Sequence, residues 1–436
     1  MKKRMRFTLL LLLIGAMAFA TACSGTAGTS SGAGSAQPPA DSTPSDAGQD
    51  AGTADKEPVT LKISTWNPIS KQVVEKFQEK YPYITLEHDY IADQYREIIR
   101  TRIVSKADMD IVWMFPNQLR EFADQDVLMD MTGEPWLDSY LDSATQLATV
   151  DNKTYGFSYN YYAVVFFYNK DIFKKYNLSE PKNWEELLAV AETLKANGVA
   201  PIITGGKDAW ATQFVTSSNY GRYQTQDPAV FDKLASGEKK WTDPEFAAFF
   251  DPLIELVDKG YFLENSVGLG NDQVVQVFKE GKAAMYPMGT WALEDFPAEF
   301  DGFEVGAFAV PVNQGSEPLV VNLVSDNIFT GISWSKHQEE IKLFLAFISE
   351  PENALLWSEE TKSAVTVKGG TSPNYHPIAG ELTKSIEANV SAIFPSLTPS
   401  MEPTYFPLLQ KILLKQNPPP AEMMAEMQQT QEKDYK

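Results

Sequence analysis

Residues 153–202 read KTYGFSYNYYAVVFFYNKDIFKKYNLSEPKNWEELLAVAETLKANGVAPI. The run AVVFFYN (Ala163–Asn169) is apolar at successive positions, the pattern of a strand covered on both faces. WEELLAVAETLKANG follows with helical spacing. Asn183 stands at the N-cap, Glu186 at the capping-box position and Gly198 at the C-terminal stop. VAPIITG then predicts another strand. A doubly covered strand, a capped helix and a returning strand are the unit of a layered α/β domain.

The same alternation extends in both directions. VTLKISTW (Val59–Trp66) predicts a strand ending at Trp66-Asn67-Pro68, and SKQVVEKFQEKYP a helix stopped by Pro82. ITLEHDY, QYREIIRTRIVS and MDIVWMF predict strand, helix and buried strand. Downstream, TDPEFAAFFDPLIELVDKG predicts a helix capped by Asp243 with Pro244 in its first turn. DQVVQVFKEGKAAMYPMGTW reads as helix, turn, strand and turn. FEVGAFAVPV and VSDNIFTGISW read as strands, HQEEIKLFLAFIS as an amphipathic helix, and the tail as two helices near 405–415 and 421–432. About 375 residues of such pattern exceed one ordinary core and imply two domains.

The start of the chain has a different character. MKKRMRF carries four basic side chains and no acid, and the apolar run to Ala20 is shorter than the ~18–20 residues of a permanent span. Residues 1–22 are therefore expected to be a signal peptide. Ala20-Thr21-Ala22-Cys23 resembles a bacterial lipobox, departing from it at Ala20, where leucine is usual. Cys23 is the only cysteine in 436 residues, so it is expected to carry lipid, and no disulfide or thiolate metal site is available. Residues 23–57 are almost wholly Ser, Gly, Ala, Thr, Pro, Asp and Gln, the composition of a disordered tether.

Several chemistries find no support. Losing the signal takes four positive charges from a formal net charge of −21, which disfavours nucleic acid and anionic lipid as partners. His88, His337 and His376 lack metal-ligand spacing, so neither a metal nor a cofactor is expected. Gly205-Gly206-Lys207 is followed by Asp208, so no phosphate-binding P-loop forms and an ATPase must be another polypeptide. Gly28-Thr29-Ser30-Ser31-Gly32 matches a hydrolase elbow in letters alone, without the strand and helix the elbow requires. Arg96, Arg100 and Arg102 read as a solvated helix face.

Four blocks carry a resemblance to the extracellular solute-binding proteins of ATP-driven importers, of the sugar-binding group that includes maltose-binding protein. They are residues 153–202, FKEGKAAMYPMGTWAL, FAVPV and KLFLAFISEPENALLW, in the family's order. The resemblance implies an α/β, two-lobed periplasmic-binding-protein-like fold of class II, with the lobes joined by a hinge of three crossovers. Residues 58–162 plus 321–370 would form the N-terminal lobe, and 163–320 plus 371–436 the C-terminal lobe. It further implies a non-enzymatic, monomeric receptor at the extracellular face of a bacterial membrane. Its partners would be a small-molecule ligand, a carbohydrate first of all, and the transmembrane permease subunits of an ABC importer.

A sugar offers apolar CH faces and a rim of hydroxyls, met by aromatic rings and by polar side chains in a cleft. Trp291, in the motif Met288-Gly289-Thr290-Trp291, matches the family's stacking tryptophan, with core packing as its alternative. Trp66 and Asn67 end the first strand, where Asn67 fits a helix cap as well as a ligand contact. Trp113 and Asn117 end the third strand, and Trp113 fits a core position equally. Tyr161 lies at the first crossover. Asp208 and Trp210 follow PIITGG. Asp326 and Asn327 occupy the return to the first lobe, suited to hydroxyls or to capping, and Tyr405 matches a C-terminal aromatic. Three other functions stay open: the same fold binding a polyol, phosphodiester or polyamine; a secreted carbohydrate-active enzyme with a carboxylate pair; and a surface adhesin or sensor.

Overall fold

The computed structural model describes residues 56–434, except 124, 295, 297–301, 326, 362, 369–377, 379–388 and 394–399. The expected signal peptide, Cys23, the tether up to residue 55 and Asp326 lie outside the described residues.

In chain order the strands are β1 (Val59–Thr65), β2 (Ile84–Tyr90), β3 (Ile111–Met114), β4 (Thr149–Val150), β5 (Lys153–Thr154) and β6 (Gly156–Ser158). They continue with β7 (Asn160–Asn169), β8 (Ala200–Ile202), β9 (Ala283–Gly289), β10 (Val305–Ala309), β11 (Val320–Val324), β12 (Ile328–Gly331), β13 (Ala364–Val365) and β14 (Val390–Ile393). Two larger sheets result, the first ordered β2-β1-β3-β12-β6 and the second β14-β11-β7-β9-β8, with β10 and β13 also paired to β7. In the first, β1 runs parallel to β2 and β3, while β12 is antiparallel to β3 and β6. All ten residues of β7 are buried, as its apolar run requires.

Local chemistry sets the helix ends. Ser70 caps Lys71–Lys80 by accepting from the Val73 amide, and Asn183 caps Trp184–Ala196 by accepting from Glu186. Gly198 follows at φ +73°, a conformation glycine adopts without strain. One expectation fails. The predicted helix from Asp243 is only a 3-10 turn, Pro244–Phe246, and the α-helix begins at Asp251. Pro252 explains the break: it has no amide to donate and its ring would clash with the carbonyl four residues back, so it is tolerated only in a first turn.

The chain passes between the sheets three times, at β6 to β7, at β11 to β12, and after the helix Pro351–Thr361 through β13. The passages are tied by buried polar side chains. The Ser158 and Ser325 hydroxyls meet each other, and each lies 3.2 Å from the Asn160 carbonyl oxygen. The Asn327 amide donates to Asn160 Oδ1 at 3.0 Å. The Thr366 hydroxyl, on the third passage, lies 2.8 Å from both the Ser158 and Tyr159 carbonyl oxygens. Gly156 permits the close packing beside this knot, since a Cβ there would fall 1.9 Å from the Phe329 carbonyl oxygen. An apolar core runs through both sheets and includes Tyr159 and Tyr161 of the first passage. A second, helical core gathers Tyr220, Trp241, Phe249, Tyr405 and Met427.

Thr366→Val keeps the shape but removes a hydroxyl that two buried carbonyls share. Stability by urea denaturation is expected to fall by about 1–3 kcal/mol, the cost of leaving a buried polar group unmade. An unchanged midpoint would mean the third passage is not held by this bond.

Candidate functional site

Strand ends place the site. β8 and β9 run parallel, and β1 and β3 run parallel, so the residues just beyond them collect at the carboxyl edges of the two sheets, where open α/β sheets bind ligands. Trp291 comes directly after β9. Its indole lies against Gly289, where a Cβ would stand 2.0 Å from the ring. Tyr162 and Phe214 meet it edge-on, with centroids at 5.6 and 5.5 Å. Thr290, between the two, accepts a hydrogen bond from the Ala163 amide at 3.0 Å and pins the turn to β7. The glycine gives the ring a seat, the threonine fixes the turn, and the indole stays half-buried.

Trp66 is the counterpart on the first sheet. Its ring stacks on Phe115 at 4.4 Å and 9°, with Tyr95 and Trp113 against its edges. The Tyr95 hydroxyl donates toward the Ser64 and Trp113 carbonyls, 2.8 and 2.9 Å away, and accepts from the Trp113 amide, so it ties β1 to β3 just below the aromatic group. Burial raises the Tyr95 hydroxyl well above its ordinary range, which keeps it a neutral donor. The Arg96 guanidinium covers the far face of Phe115 at 3.7 Å and its Nη1 reaches Glu402 Oε1 at 2.7 Å.

The other expected residues divide. Trp210 is 38% exposed, edge-on to Phe214, and so joins the Trp291 group. Asn117 is half-buried in the first turn of the helix Pro116–Ala123, where its side-chain oxygen accepts from the Gln118 amide. Asn67 is half-buried and does not cap the next helix; Ser70 does, three residues on. Asp208 accepts from the Asn271 amide at 2.6 Å and so serves the start of the helix Asn271–Lys279.

Four of the expected residues are buried, Trp113 and Asn327 in keeping with the structural alternatives open to them. Trp113 is 2% exposed and belongs to the core under Trp66. Asn327, 1% exposed, spends its amide on Asn160 inside the hinge. Tyr161 is buried with its hydroxyl 2.5 Å from Ser143, and burial raises that hydroxyl above its usual value. Tyr405 is fully buried against Phe249 and Phe250 in the helical core, because it points inward from the helix Glu402–Leu413 alongside Leu408, Leu409 and Ile412. The arginines lie on a face open to solvent, as expected, and each has an acidic partner. Arg96 pairs with Glu402, Arg100 with Glu121 and Arg102 with Asp89.

Phe115, Phe214 and Glu402 stand beside the candidate residues without a sequence expectation of their own, and Arg96 had one only as part of a solvated face. Phe115 follows β3 as Trp66 follows β1, so the strand-end rule could have found it. Glu402 stands 306 positions from its partner, and no local signal reveals such a pair.

No cluster of His, Cys, Asp or Glu able to hold a metal occurs among the described residues. No described helix is long and apolar enough to cross a membrane.

A family model described as bacterial extracellular solute-binding protein matches residues 64–355. An uncharacterized ABC transporter extracellular-binding protein of Pyrococcus horikoshii is 29% identical over 292 residues, covering 64% of this chain and 66% of that one. The multiple sugar-binding protein of Streptococcus mutans is 22% identical over 309 residues, covering 69% and 72%. Among solved structures, a family 1 extracellular solute-binding protein from Bifidobacterium longum subsp. infantis superposes with a TM-score of 0.72 at 22% identity, over 86% of this chain and 99% of that one.

Truncation separates platform from core. Trp113→Ala is expected to cost about 3–5 kcal/mol in chemical denaturation, as for a fully buried aromatic ring. Trp291→Ala, which removes a half-buried ring, is expected to cost roughly 1 kcal/mol on the same burial scale. Equal losses would make Trp291 a core residue.

Proposed function

The chain belongs to the bacterial extracellular solute-binding proteins, and we propose that it is a lipid-anchored receptor that captures a sugar or oligosaccharide between its lobes for an ABC importer. The observation that carries this reading is the pair of built aromatic platforms, Trp66 on Phe115 and Trp291 on Gly289, one beyond each sheet. Aromatic faces suit the CH faces of sugar rings, and a few polar groups around a cleft fix their orientation. The name of the Streptococcus mutans relative points to the same ligand class.

The first lobe in this reading is the β2-β1-β3-β12-β6 sheet with its helices, and the second is the sheet around β7 with the helical core. Closure about the three tied passages brings the platforms onto one ligand, whose contacts shift the population toward the closed form. The receptor does no covalent chemistry. Cys23 carries the lipid, two acyl chains being enough for stable anchoring, and the tether leaves the receptor free to reach the transmembrane permease subunits on the extracellular face. It acts as a monomer.

A thermal-shift series tests the ligand class. A panel of monosaccharides, oligosaccharides, glycerol phosphate and polyamines is added to the purified chain. A selective oligosaccharide at a hundred times its dissociation constant is expected to stabilise the fold by about 2.7 kcal/mol and raise the melting temperature accordingly. A shift from glycerol phosphate or a polyamine, with none from any sugar, would overturn the carbohydrate reading.

A further inference from the structure

Arg96 and Glu402 lie on opposite sides of the molecule's division. Arg96 is in the helix Tyr95–Val104, whose Tyr95 is bonded to β1 and β3. Glu402 opens the helix Glu402–Leu413, whose apolar face is part of the second, helical core and which packs against the Ala209–Thr212 turn bearing Trp210. Their 2.7 Å bond therefore joins the two lobes, with Arg96 against Phe115 of the Trp66 stack and the helix of Glu402 against the turn that bears Trp210.

Three features strengthen this pair. The two side chains are 31% and 28% exposed, so solvent screens them less than a fully exposed pair. The guanidinium rests over the Phe115 ring at 3.7 Å, which restrains it before it meets the carboxylate. Glu402 sits in the first turn of its helix, where the helix dipole favours negative charge. A second and looser pair, Arg120–Asp232 at 4.0 Å, joins the same two sides nearer the surface.

We propose that Arg96 and Glu402 form a latch that holds the lobes closed independently of ligand, making the open–closed equilibrium sensitive to ionic strength. The hinge supplies the axis and the latch supplies a bias. The pair remains formed around a bound ligand, so it adds to apparent affinity by raising the fraction of molecules in the binding-competent state. This affinity effect rests on the receptor reading above; the bias itself does not.

The test uses spin-label distances in the full chain, with Cys23→Ser, Val104→Cys and Leu414→Cys, two exposed positions on the two sides. At low ionic strength one short distance is expected. In about 1 M salt, where the screening length is roughly 3 Å, a second and longer population should appear. Glu402→Gln should show that longer population at low salt already, and the charge reversal Arg96→Glu with Glu402→Arg should suppress it again. Distributions that stay at the single short distance, both in high salt and in Glu402→Gln, would overturn the latch. With a binding sugar in hand, Glu402→Gln should weaken affinity about fivefold through the lost closed fraction. Undiminished affinity would overturn the claim that the pair persists around ligand. Absence of any sugar binding, with the distance shift intact, would overturn the carbohydrate reading and leave the latch standing.

Discussion

Everything in this structure depends on a knot of buried hydrogen bonds where the chain crosses from one sheet to the other. Ser158, Asn160, Ser325, Asn327 and Thr366 come from three separated segments and bond one another while nearly free of solvent. In a low-dielectric interior such bonds are strong if all are made and costly if one is lost. The three crossings are thereby held to one common axis, while each sheet keeps its own strands and helices. A purely apolar crossing would pack but would specify direction less sharply, since hydrogen bonds have geometry and dispersion contacts have little.

The same knot reaches the candidate ligand surface. Asn327 donates to Asn160, the Asn160 amide donates to the Tyr162 hydroxyl at 3.1 Å, and the Tyr162 ring meets the edge of Trp291. The platform and the hinge thus share a wall. On the other side, Tyr95 bonds β1 to β3 under Trp66, so the first platform is referenced to its sheet. Each ring therefore has a direction set by backbone it did not choose, a requirement for any cleft that must recognise shape.

The fold was legible in local pattern: the buried run of β7, the cap at Asn183 and the stop at Gly198 appear where their chemistry demands. The Pro252 break shows the limit, because a helical spacing of apolar residues does not overrule a missing amide. For the candidate site, the strand-end rule points to Trp66 and Trp291, and the structure sets both just beyond their strands, while the rings around them come from distant segments. It could not tell that Asn327 would face another crossing, or that Tyr405 would turn inward with Leu408 and Leu409. Those outcomes depend on which surfaces meet across hundreds of residues. The Arg96–Glu402 pair was invisible for the same reason.

The central claim is that two aromatic platforms, one from each lobe, close on one ligand. Incorporating 5-fluorotryptophan and recording fluorine resonances while titrating a binding oligosaccharide tests it directly. The account predicts that the signals of Trp66 and Trp291, assigned by substitution, shift together along one saturation curve, while that of Trp357, buried in the core, stays in place. A ligand that saturates without moving either signal, or that moves only one, would contradict it.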